Sequence, residues 1–403
     1  MNSLFLFVYF FTFIYVLIWK RKFDISFFVM CGNLIYLYPG VLGVYPRFES
    51  PGLVDTISGN TYFLFTVILV LPYLIYAFPK KRYVPKFKLN FDSLKRPSFI
   101  VAIILFIVNY FTIDTSSGID KRSLMDSMTI FYNLWVYMSI ISIVLNSKQR
   151  KRVFTLLLLL SFDVYFYSMR IHFIFGIYAL IVIRLLNTDI KRNIPNIIFL
   201  IFGTLISSMF LIFKSIIIPL RNGDWQLVLE RIASKETYLY WLVRAEPFNQ
   251  VAIMDRVVES GFRAPFSHIL GSFLVVVPYW NKVMSSPVRF HDYFHSELFS
   301  SIPIVGSIAN SPWAQAYAVG LVPGFLILSI AYLGVLVFLR SLSYGSESSC
   351  VLVALLLFPI CFYWHRNDLY FTLNIVKRIL FGLLFIFIVV QLLKRKYVRN
   401  SSY

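Results

Sequence analysis

The chain has 403 residues, 59% of them hydrophobic and 19% aromatic, with only 14% charged. A soluble domain of this length lacks the volume to hide so much apolar surface, which excludes a water-soluble globular protein. The formal net charge of +19 does not imply nucleic acid, because the basic residues punctuate apolar runs and form no basic face, as membrane topology requires.

The opening stretch, MNSLFLFVYFFTFIYVLIWKRK, has no positive leader and no small-residue cleavage motif, so it predicts a retained first helix rather than a signal peptide. Apolar runs then predict eleven spans near 3–19, 24–44, 61–78, 98–112, 128–146, 153–168, 172–187, 195–213, 316–339, 350–364 and 371–393. Alternate connectors are strongly basic: KRK at 20–22, the segment 80–97, SKQRKR at 147–152, TDIKRN at 188–193 and the tail KRKYVR. With Arg184 and Arg340 this side holds 22 of the 38 Lys and Arg. The bias places it in the cytoplasm, with the C-terminus, and puts the N-terminus outside.

One connector differs in kind. Residues 214–315 form a long outer segment with nine basic and eight acidic residues, between an N-terminal bundle (1–213, about eight helices) and three C-terminal helices with a basic tail (316–403). Inside it, Asp224 is a predicted helix N-cap, Pro247 fits a first turn and Gly261 fits a C-terminal cap. FSHILGSFLVVVPYW is too short to span and reads as an interfacial or re-entrant piece. The predicted fold is all-α and polytopic. Cys31, Cys350 and Cys361 lie in or beside apolar runs with no metal-type spacing.

Polar residues at the outer edges of apolar spans are the candidates for chemistry, because charge at that depth is costly unless it pairs or lines a wet cavity. DVYFYSMRIHFIFG places Asp163, Arg170 and His172 at the outer end of two spans. FYWHRNDLYFTLN packs His365, Arg366 and Asp368 into one turn, with Lys377 and Arg378 soon after. Either this is a wet hairpin tip or it is part of a cavity wall for an anionic, lipid-linked substrate. HDYFHSE sets His291 and His295 four apart, close to Glu297, without the HExxH pattern of a zinc site, so a general base or a sugar contact is the expected use. Glu49, Asp55, Asp114, Asp120 and Asp126 are spaced too loosely to predict a metal site.

This layout resembles the O-antigen polymerases of the Wzy type. The resemblance rests on size, on the 42 Phe and 26 Tyr, on basic cytoplasmic connectors and on one dominant late outer loop. Locally, NSPWAQAYAVGLVPGFLILSIAYLG at 310–334 looks like the family's return from the long loop into a Gly-containing helix. HRNDLYFTL at 365–373 looks like its late outer-edge Arg turn, and Arg170 sits where the family tends to carry an arginine. The resemblance implies a glycosyltransferase C-like membrane fold of about 11–12 transmembrane helices, shared with O-antigen ligases, in the bacterial inner membrane. It also implies polymerisation of undecaprenyl-pyrophosphate-linked repeat units on the periplasmic face, without metal or cofactor. Arg170 and Arg366 would grip the diphosphate, helped by Arg244. Glu246, His291 or His295 would act as base, and His172, Arg263, Asp368, Lys377 and Arg378 would bind substrate. Membrane lipids, a chain-length regulator and a flippase are the implied partners, and nucleic acid is not. A ligase that transfers glycan to lipid A–core, and a flippase or other transporter, are the alternative readings.

Overall fold

The computed structural model describes residues 2–46, 54–79, 91–112, 129–167, 170–189, 216, 219–220, 222–234, 246–277, 290–298 and 310–400. These are almost entirely helical, with one two-stranded hairpin. Five helices are long and apolar enough to cross a membrane: Asn2–Trp19, Gly59–Ala77, Pro312–Ser343, Glu347–His365 and Leu369–Leu392. Ile25–Leu37 and Phe131–Leu145 are shorter apolar helices. The architecture is that of an α-helical membrane protein. The runs near 98–112, 153–168 and 172–187 also form helices, whereas the run at 195–213 lies outside the described residues.

The chain divides into two compact units. The first comprises Met1–Lys81, Asn187–Ser341 and Pro359–Asn374. Its helix α1 (Asn2–Ile14) continues through a π-helical turn to Trp19, and buries Phe5, Tyr9, Thr12 and Val16, a stripe at helical spacing. The opposite face leaves Phe7, Phe10, Ile14 and Ile18 exposed, which costs nothing against lipid tails. Helix α2 (Ile25–Leu37) is capped by Asp24, whose Oδ1 accepts from Phe27 N at 3.0 Å. After a short turn, α3 (Pro39–Leu42), strands β1 (Val44–Pro46) and β2 (Val54–Thr56) pair antiparallel, Tyr45 opposite Asp55. Helix α4 (Gly59–Leu74) packs against α1 and α2.

The end of this unit near Trp19 holds a buried charge network absent from the sequence reading. Lys20 Nζ lies 2.9 Å from Asp24 Oδ1, and Tyr76 Oη donates to Asp24 Oδ2 at 2.9 Å. Arg340 donates to the carbonyls of Ile75 and Phe78 and lies 5.1 Å from the Tyr76 ring centroid. Burial holds the Lys20 ammonium below the ordinary lysine range, and Asp24 pulls it back up.

The unit's remaining described helices are α9 (Trp225–Ala233), α10 (Glu246–Glu259), α11 (Ser267–Leu274) and α12 (Phe290–Leu298). Asp224 caps α9 at Leu227 N, 3.0 Å, and Gly261 follows α10 with φ +64°, both as the sequence predicts. At eight residues, about 12 Å, α11 is too short to span. Helix α13 (Pro312–Ser343) is broken: Gly320 (φ −135°) and Leu321 (φ 54°, ψ −147°) are not helical. Residues 322–343 beyond the break reach about 33 Å, close to the slab thickness.

The second unit comprises Arg82–Leu186, Leu342–Phe358 and Ile375–Tyr403. It holds α5 (Lys95–Thr112), α6 (Thr129–Leu145), α7 (Arg150–Tyr167) and α8 (Arg170–Leu185). It also includes α14 (Glu347–Leu357) and the later part of α15 (Leu369–Asn400). With lipid as apolar as leucine, close packing and buried hydrogen bonds hold such helices together. Gly176 lets α8 approach Ile143 and Leu160, since a Cβ there would lie 3.1 Å from each. Phe175 stacks on Phe358 at 4.6 Å. Asn146 Nδ2 donates to Lys95 O at 2.9 Å, and Asn109 Nδ2 to Phe131 O at 3.2 Å, which ties α5 to both ends of α6.

Candidate functional site

The structure brings several predicted residues together at one end of the second unit, where α5 finishes and α6 begins. Asp163, near the end of α7, is fully buried. On α8, His172 Nδ1 lies 2.8 Å from Asp163 Oδ2. Tyr132, on the first turn of α6, donates to Asp163 Oδ1 and lies 3.4 Å from His172 Nδ1. One turn further along α6, Tyr137 meets the His172 ring edge-on at 6.0 Å. Its ring is also 5.9 Å from the Arg378 guanidinium, whose Nη1 donates to Asn133 Oδ1 at 2.7 Å. Arg170 opens α8, half-buried, two residues before His172.

This arrangement has a defined electrostatic character. Arg170 and Arg378 bring fixed positive charge, and the N-terminus of α8 adds the positive end of its dipole. The only carboxylate in these contacts, Asp163, is engaged by His172 and Tyr132. The surroundings therefore favour an anion, and guanidinium groups suit phosphate oxygens. A carboxylate at Nδ1 fixes the imidazole tautomer, with the proton on Nδ1 and the lone pair on Nε2. Lys377 precedes Arg378 and is half-buried.

The turn at 362–374 belongs to the first unit and is more structural than its composition suggests. His365 is buried, its Nε2 2.9 Å from Asn33 Oδ1 and its ring stacked on Tyr36 at 5.4 Å. Asp368 is an N-cap: its Oδ1 accepts from Phe371 N at 3.0 Å in the first turn of α15. Gln315 Oε1 accepts from Leu369 N at 2.9 Å, and Gln250 Nε2 donates to the carbonyls of Arg366 and Asn310, both at 3.2 Å. Arg366 is half-buried with its guanidinium 5.3 Å from the Tyr363 ring. Beside the turn, Tyr36, Gln250, Ser311, Trp313 and His365 line a nook of about 20 Å³. It has room for one water and is far too small for a sugar ring.

No known protein family, no curated protein and no solved structure matches this chain.

The long connector contributes less to the described geometry. Arg263 lies exposed between α10 and α11. Arg244 and the side chains of Glu246, His291 and His295 lie outside the described residues, although Glu246 begins α10 and both histidines fall on α12. Asp255, on α10, is buried and accepts from Tyr45 Oη and Ser58 N, both at 2.9 Å, so it fastens α10 to the hairpin. Sequence reading finds Arg170, His172 and Arg378 as polar intrusions into apolar runs. It does not find Tyr132, Asn133 or Tyr137, because among 26 tyrosines nothing marks the ones that touch a histidine.

Proposed function

We propose that this protein is a membrane glycosyltransferase that polymerises undecaprenyl-diphosphate-linked oligosaccharide repeat units on the periplasmic face of a bacterial inner membrane. The growing glycan leaves its carrier diphosphate and joins the sugar of an incoming lipid-linked unit. The observation that carries the reading is the gathering of Arg170, Arg378 and the Asp163–His172 pair at one end of one helical unit. The departing diphosphate develops negative charge as the glycosidic bond breaks, and preplaced guanidinium groups stabilise that charge without reorganising. Arg366 is the further arginine assigned to substrate. The exposed aromatic and aliphatic faces, such as that of α1, suit a chain that handles polyprenyl tails by dispersion and area burial. The proposal includes the glycosyltransferase C-like fold, uses no metal or cofactor, and expects a chain-length regulator and a flippase as partners.

Deletion of the gene followed by a lipopolysaccharide gel tests the reading. The expected result is a single core-plus-one-unit band in place of the ladder. Loss of every O-antigen band would instead indicate a ligase or a flippase.

A further inference from the structure

We infer that His172 is the general base that activates the acceptor sugar hydroxyl, held in its working tautomer by Asp163. This rests on the glycosyl-transfer reading above and assigns to the second unit a role that sequence reading gives to Glu246, His291 or His295. Three observations carry it. Among the described residues, every hydrogen bond of His172 is made through Nδ1, to Asp163 and Tyr132. The lone pair on Nε2 is thereby left for an incoming proton. The side chain retains 9% of its surface while Asp163 retains none, so what exposure the pair keeps belongs to the histidine. Finally, Arg170 opens the same helix two residues earlier, and the Tyr137 ring touches both the imidazole and the Arg378 guanidinium, so the cations assigned to a diphosphate donor belong to the same end of the unit.

The step balances within the two substrates. The acceptor hydroxyl gives its proton to His172 Nε2, and its oxygen forms the new bond to the anomeric carbon. The bond from that carbon to the carrier diphosphate breaks, leaving its electron pair on the diphosphate oxygen. The imidazolium then returns its proton to solvent. Asp163 is a positioning residue that stabilises the imidazolium as it forms, and Tyr132 fixes the other oxygen of that carboxylate.

Full-length variants expressed in the deletion strain, and membrane vesicles supplied with the isolated lipid-linked repeat unit, test the assignment. H172A should lower turnover about 10²-fold or more, and added imidazole should restore at least a tenth of it, a rescue that a packing role would not permit. D163N, equal in size, should lower kcat and leave KM unchanged at normal membrane abundance. Wild-type turnover in D163N, or a full ladder in H172Q, would overturn the base while leaving the polymerase reading intact. An unchanged ladder in the deletion strain itself would remove both.

Discussion

Asp255 keeps 1% of its surface exposed and satisfies its carboxylate with Tyr45 Oη and Ser58 N. Burial, and then the neighbouring carboxylate, push the Tyr45 phenol well above its ordinary range. A group whose pKa is raised by folding contributes stability that is complete below its unfolded value, about 10, and is lost as pH rises past it. We therefore expect alkaline pH to loosen the hairpin from α10, and Tyr45→Phe to remove that alkaline sensitivity. Thermal melting in detergent across pH 8 to 11 would check this. At neutral pH the same variant should cost about 1–2 kcal/mol, because Asp255 keeps only the Ser58 partner. Arg366 carries a different expectation. His365 and Asp368 are engaged by Asn33, Tyr36 and the first turn of α15, the guanidinium of Arg366 lies 5.3 Å from the Tyr363 ring centroid, and Arg366 is the residue of this turn assigned to the diphosphate. Arg366→Ala should abolish the ladder at unchanged membrane abundance, as a gel paired with an immunoblot would report. Asp368 shows where residue reading stops. Its sequence context suggests a substrate ligand, but a carboxylate three residues before a backbone N–H that needs an acceptor is also a cap, and only the start of α15 distinguishes the two.

Leu321 holds φ 54° with ψ −147°, a conformation open to glycine and costly for leucine. The break it marks is kept by its surroundings: Ala318 O accepts from Ala264 N at 3.0 Å, and a Cβ on Gly324 would lie 2.5 Å from Ala316 O. We expect Leu321→Gly to be neutral or to stabilise by about 1 kcal/mol, and Gly324→Ala to destabilise by about 1–3 kcal/mol, as melting temperatures of the purified protein would show. Helix positions and caps are legible in the sequence because apolar runs and Asp, Ser or Gly at their ends act locally; Asp224 and Gly261 are examples. The break in α13 is not legible in that way. GLVPG invites a kink, but the residue that takes the strain is decided by the carbonyls that must be satisfied on either side of it. The Lys20–Asp24–Tyr76–Arg340 network escapes for a related reason. A basic residue after a span reads as topology, and only tertiary packing reveals that Lys20 pairs with Asp24 while Arg340 lies over the Tyr76 ring whose hydroxyl reaches the same carboxylate.

For the whole molecule, the proposed topology makes opposite claims about two surface residues. Arg263 is exposed between α10 and α11, and Lys148 keeps 84% of its side chain exposed beyond α6. The native thiols Cys31, Cys350 and Cys361 are buried or half-buried, so background labelling should be low. In intact spheroplasts a membrane-impermeant maleimide should label the Arg263→Cys variant, and should reach Lys148→Cys only after permeabilisation. The reverse pattern would invert the orientation drawn from loop charge. One contact also sets how the first unit can move. A side chain on Gly32 would sit 2.5 Å from the carbonyl oxygen of Cys361, and the next residue, Asn33, grips His365. Those two stretches are meshed like gear teeth with no clearance, so neither can slide without carrying the other, and nothing as wide as a methyl group can be driven between them.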